Sequence, residues 1–286
     1  MNPTPAMPEL TAFDASTQLI AAAIYLAIGA AGLAQAPRDE RTRVFAALGL
    51  THAIAFCIPA VAFYLGVKDW LAFNRIPLGI TLAALSVGAM LMFHFSQVFP
   101  RRRPWVRGSG MQLPIAYAIT PVVVFVLVRW WPPTPADVTM KFGIVFMVFG
   151  FPLMVLLGLV LPVASIVSFL RTLREIPPPA AAPVGRRGHL ASVLFGALRL
   201  RARAGSRPNA RPVILGILVS QLGGGAVSLF VLGPLNAVAP ESGALTLVAL
   251  LVWLLGLLTP LAYAAGVWRY DVLAIGGERS AEMQPD

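Results

Sequence analysis

The sequence predicts an all-α polytopic membrane helix bundle: seven transmembrane helices, N-terminus outside and C-terminus in the cytoplasm. Three observations predict it. The 286 residues are 58% hydrophobic and only 12% charged, whereas a soluble domain carries about a quarter charged residues. Seven apolar runs approach or exceed the roughly 20 residues that a helix needs to cross a hydrocarbon core. The basic residues alternate in abundance between successive connections, 18 on one side against 4 on the other, and positively charged loops stay in the cytoplasm.

Residues 1–16 form an extracytoplasmic tail. No Lys or Arg precedes the first apolar run, and Glu9 and Asp14 stand there instead, so the run reads as a retained span rather than a cleaved leader. The spans fall at 17–35, 44–66, 76–99, 111–130, 142–170, 212–238 and 244–268. Five of them occupy 17–170 and two occupy 212–268. The fourth is interrupted by Pro114 and Pro121. The poorly charged side carries Lys68, Arg75, Arg129 and Lys141. On the other side lie Arg38, Arg41 and Arg43, then Arg101, Arg102, Arg103 and Arg107, then nine arginines in the 171–211 loop, then Arg269 and Arg279 in the 269–286 tail. Trp70, Trp130 and Trp131 mark outer boundaries and Trp105 and Trp268 inner ones, as amphipathic rings favour the headgroup level.

The 171–211 connection is the one substantial loop. "EIPPPAAAPVGRRG" is a proline-rich extended spacer. Beyond it, Leu190, Val193, Leu194, Ala197 and Leu198 recur at helical spacing and end in Arg199, Arg201 and Arg203. That pattern predicts an interfacial helix on the anionic inner leaflet. A basic loop that only enforces topology is the alternative.

The search for catalytic chemistry is negative, and the chain is not expected to be an enzyme. No span holds the paired carboxylates of general acid–base catalysis, and CxxC, HExxH, GxSxG and P-loop patterns are absent. Cys57 is the single cysteine, which excludes an intramolecular disulfide. The net charge of +10 would suggest nucleic acid in a soluble chain, but here the arginines report topology, and no nucleic-acid partner is expected. His52 and His94 lie about two turns from the basic ends of spans two and three. They are the candidate cofactor-binding residues of a bis-histidine haem or metal site, in a transporter or membrane redox component. The plainer reading gives each a local hydrogen bond. Gly223, Gly224 and Gly225 in span six and Pro260 in span seven are candidate hinges. Tyr25, Gln97, Tyr117, Thr120, Ser220 and Gln221 fit interhelical hydrogen bonding. Trp70, Asn74, Trp130 and Trp131 suit an aromatic belt, with a small outer pocket as the alternative.

Three stretches together resemble one family. "HFSQVFPRRRPW" closes span three, "RPNARPVILGILVSQLGGG" leads into span six, and "AGVWRYDVLAIGGE" follows span seven. They are similar to the corresponding stretches of the N-terminal seven-transmembrane sensor domain of bacterial histidine kinases. Arg269, Tyr270 and Leu273 match that family's exit motif, with Asp271 in place of its second arginine. The kinase region that follows in the family has no counterpart before Asp286. The resemblance therefore implies a stand-alone sensor or receptor-like protein of the bacterial inner membrane. Such a protein would relay a signal to, or scaffold, a separate cytoplasmic or membrane partner. Arg101, Arg102, Arg103, Arg199, Arg201, Arg203, Arg269 and Tyr270 are its candidate lipid and partner contacts.

Overall fold

A computed structural model describes residues 12–66, 75–103, 112–129, 148, 150–176, 210–238, 243–270 and 272–274. It is helical throughout, with no strand among the described residues. The helices are α1 (Ala12–Gln35), α2 (Glu40–Tyr64), α3 (Arg75–Val98), α4 (Gln112–Arg129), α5 (Phe151–Glu175), α6 (Arg211–Leu232, continued by Gly233–Val238) and α7 (Gly243–Trp268), followed by a short 3₁₀ turn at Val272–Ala274. Six of these are long and apolar enough to cross a membrane. In α4 the apolar stretch Ile115–Arg129 falls short of that length, so the structure carries six of the seven expected spans by this measure. Large apolar side chains stand exposed along these helices, among them Leu50, Leu159, Leu229, Phe230 and Leu247. Such surface belongs in lipid, and the chain has a multi-pass membrane architecture.

Helix limits follow local chemistry. Asp39 caps α2: its Oδ1 accepts the Arg41 backbone N–H at 2.8 Å, the bond an N-cap aspartate supplies to the second helical residue. The helix thus begins in the charged segment Glu40, Arg41, Thr42, Arg43, ahead of its apolar run. At the other end, Gly66 takes φ +72°, and its N–H donates to the Phe63 carbonyl. A left-handed residue closing a helix favours glycine.

The chain packs as two compact units. The first comprises Met1–Ala30, Val44–Phe95 and Trp105–Ser165. Its interior is built from rings and close backbone approaches. Tyr25 stacks on His52 with centroids 4.8 Å apart, and Phe45 meets Phe95 edge-on at 5.5 Å. A Cβ at Gly49 would stand 2.7 Å from the Tyr25 carbonyl oxygen, so only glycine admits this α1–α2 contact, as small residues do between membrane helices. Ser16 and Tyr64 share a 2.8 Å hydrogen bond that joins the start of α1 to the end of α2.

The second unit comprises Ala31–Arg43, Ser96–Pro104 and Ile166–Asp286. Here α6 and α7 interlock through missing side chains: a Cβ on Gly216 would fall 2.6 Å from the Ala262 Cβ, and one on Gly266 would fall 2.7 Å from Val213 Cγ2. Between them Thr259 donates to the Ser220 hydroxyl at 2.8 Å. The Phe99–Pro100 peptide is cis, and Val98, Phe99 and Pro100 are buried.

Candidate functional site at the arginine-rich helix ends

The densest polar geometry in the second unit centres on Arg41. Asp39 holds its guanidinium through Nε at 3.0 Å and Nη2 at 2.6 Å. With its plane fixed by this fork, the remaining donors reach three backbone carbonyls. Nη1 donates to Pro100 at 2.9 Å and to Val272 at 3.1 Å, and Nη2 donates to Leu273 at 2.8 Å. One side chain on the first turn of α2 therefore fastens the turn after α3 and the segment after α7. Planar donors in a fixed fork suit arginine for this and lysine far less. Thr42 adds local support, donating to the carbonyls of Ala36 and Asp39.

Two more arginines act in the same way. Arg103 Nη2 donates to the Ser168 carbonyl at 3.3 Å and to the Thr172 hydroxyl at 3.1 Å, tying the turn after α3 to the last turns of α5. Arg211 Nη1 donates to the Ile176 carbonyl at 3.1 Å, joining the start of α6 to the residue that follows α5. Arg211 meets a carbonyl at the C-terminal end of α5, where acceptors lack intrahelical donors and the dipole favours a cation, whereas Arg103 binds about two turns further back, at Ser168. Ser168 in turn donates to the Ser96 carbonyl at 3.0 Å.

Each of the three motif stretches supplies groups to these arginine contacts. "HFSQVFPRRRPW" supplies the Pro100 carbonyl and Arg103, "AGVWRYDVLAIGGE" supplies the Val272 and Leu273 carbonyls, and "RPNARPVILG" supplies Arg211 and the buried Ala210. The sequence did not single out Arg41. Its signal was the run Asp39-Glu40-Arg41 directly ahead of an apolar helix, an N-cap pattern with a cation beside it.

The other candidates take separate places. Arg102 pairs with Glu40, Nε to Oε2 at 3.0 Å, and Arg101 is exposed. Arg269 lies 5.7 Å from the ring centroid of Tyr270, a cation–π distance. Arg199, Arg201, Arg203 and the expected interfacial helix lie outside the described residues, as do Trp70, Asn74, Trp105, Trp130 and Trp131. In the first unit, His52 donates from Nδ1 to its own helix at the Leu48 carbonyl, 2.9 Å away. Its ring is packed between Tyr25 and Gly88, where an added Cβ would meet His52 Cε1 at 3.2 Å. His94 is buried and its Nδ1 shares a 2.8 Å hydrogen bond with the Tyr117 hydroxyl, the rings nearly parallel. The two histidines thus have different partners. No group of three or more metal-ligating side chains occurs among the described residues.

The candidate hinge differs from a tight packing seam. A Cβ at Gly225 would meet nothing within 4 Å, and Gly223 and Gly224 would make only ordinary contacts with Leu255. The helix here alternates π turns at Val219–Gly223 and Ser228–Leu232 with an α turn at Gly224–Val227. Wide turns of this kind weaken the regular ladder and recur where helices bend or act. Pro260 lies within α7, one residue beyond Thr259.

Compared with models of protein families, with curated proteins and with solved structures, the chain matches none.

Proposed function

We propose that this chain is a receptor-like protein of the bacterial inner membrane, with seven spans, its N-terminus outside and its C-terminal segment in the cytoplasm. It passes a change in helix arrangement to a partner protein through the segment that follows α7. The observation that carries this reading is the reach of Arg41. A single guanidinium holds the α2 start, the turn after α3 and the Val272 and Leu273 carbonyls. A shift of either helix is felt at the α7 exit through bonds rather than through a loose loop. The arginine bias supports the orientation. The resemblance to the sensor domain of histidine kinases supports the class, since two of its three motif stretches meet at Arg41 and the α7 exit is where that family joins its output.

The test combines topology with partner capture. Reporter fusions after residues 11 and 286 are expected outside and inside, respectively. A photo-crosslinking amino acid at Leu273 in native membranes is expected to trap a defined protein, with a changed yield in Arg41→Gln. A cytoplasmic N-terminus, or no adduct in any background, contradicts the reading. A Soret absorption in the purified protein that vanishes in His52→Ala or His94→Ala would instead establish the redox alternative.

A further inference from the structure

Beside Arg102, paired with Glu40, and Arg269, set against Tyr270, the described arginines of the second unit form two chemical sets. Arg41, Arg103 and Arg211 spend their donors on protein carbonyls. Arg38, Arg43, Arg101, Arg171 and Arg174 are exposed, and none makes a side-chain hydrogen bond or ion pair among the described residues. We propose that this second set forms one surface that binds the phosphates of anionic phospholipid headgroups.

Contacts already described draw these arginines together. Arg102 reaches Glu40 on the first turn of α2, and the next residue, Arg103, reaches Thr172 on the last turns of α5. Arg101, exposed, directly precedes these two contacts in the chain. Arg43 stands one turn beyond Glu40, and Arg171 and Arg174 flank Thr172. The local acids are used internally: Asp39 holds Arg41 and Glu40 holds Arg102, leaving Glu175 as the exposed carboxylate of these helix ends.

The face of α5 identifies the occupant. Val167 and Leu170 are exposed apolar side chains, and Arg171 and Arg174 follow them at four-residue spacing, hence on the same side of the helix. An apolar stripe that runs directly into guanidinium groups matches the passage from acyl chain to phosphate in one leaflet. On α2 the order repeats: Arg43 precedes exposed Leu50 by two turns. A soluble acidic partner would not call for apolar side chains continuous with the cations. Guanidinium groups bind phosphate oxygens in a bidentate fork. The inference needs only that the helices are embedded in a membrane and is independent of the receptor reading.

The test is native mass spectrometry of the full chain in detergent, titrated with phosphatidylglycerol or phosphatidylcholine. Each basic residue near an anionic surface contributes about fivefold. The wild type is expected to retain phosphatidylglycerol at least about tenfold better, allowing for screening. R43Q/R101Q/R171Q/R174Q should lose that preference, and K68Q/R75Q/R129Q/K141Q, which removes equal charge from the sparsely basic connections, should keep it. The proposal is overturned if the first variant binds like the wild type or if the second variant alone loses the preference. It is equally overturned if inorganic phosphate displaces the lipid, which marks a free-anion site, or if an acidic protein occupies the patch while lipid preference is unchanged. Should the fourfold variant elute as aggregate, single R101Q and R174Q variants should each lose a few-fold, and no loss in either overturns the proposal.

Discussion

The two compact units satisfy their polar groups in different ways. In the first, Thr51, His52 and Ser86 bond to carbonyls three or four residues back on their own helices. Cohesion between helices there comes from ring stacking, from glycines that admit a neighbour and from two short side-chain hydrogen bonds, Ser16–Tyr64 and His94–Tyr117. In the second, Arg41 reaches carbonyls 59, 231 and 232 residues away. The second is tied by charge-assisted bonds that break as a set. The difference concentrates long-range polar ties at the arginine-rich helix ends, while α6, beyond its interlock with α7, has open space at Gly225.

The largest expected effect is at Arg41. Its side chain is 12% exposed and its partner Asp39 20%, so Arg41→Ala strands a carboxylate and three carbonyls. A loss of about 3–5 kcal/mol is expected for breaking such a pair, measured by thermal unfolding in detergent. Arg41→Lys should recover less than half, because an ammonium cannot span the same acceptors. Full recovery by lysine would reduce the site to simple charge.

Next comes the α6–α7 seam. Gly216→Ala places a Cβ where Ala262 already stands and should destabilise by about 1–3 kcal/mol, as overpacking does. Gly225→Ala, in open space, should instead be neutral or stabilising by up to about 1 kcal/mol. If both behave alike, the distinction between a clamped and a free part of α6 fails.

The first unit should respond more mildly. His52→Ala removes a stacked ring and is expected to cost about 2 kcal/mol, whereas His52→Phe keeps the ring and should cost under about 1 kcal/mol. A large loss in His52→Phe would point to a role for the imidazole nitrogens. Smallest is the His94–Tyr117 bond. A double-mutant cycle with His94→Phe and Tyr117→Phe should return about 0.6 kcal/mol of coupling, the usual size inside membrane proteins.

How much of this was legible in the sequence follows from the range of each interaction. Apolar runs located every helix, and the expected span at 244–268 meets α7 at Gly243–Trp268. Starts and ends moved where charged residues continue a helix beyond its apolar run. Thus α2 begins at Glu40 because Asp39 caps it, and α5 continues through Arg171 to Glu175. The interhelical bonds of Tyr117 and Ser220 were expected from their polarity within spans, and both are present. The role of Arg41 was not legible, because no local pattern shows which carbonyls a guanidinium will meet across more than two hundred residues. The motif stretches were visible, but Arg41, the partner that two of them share, lies in none of them.

The most direct measurement is the distance distribution between spin labels at Arg38→Cys and Leu273→Cys in the reconstituted protein, with and without Arg41→Gln. A narrow distribution that broadens or lengthens when Arg41 is replaced is the predicted result. Distributions that coincide in the two backgrounds would contradict the claim that Arg41 fastens the α7 exit to the start of α2.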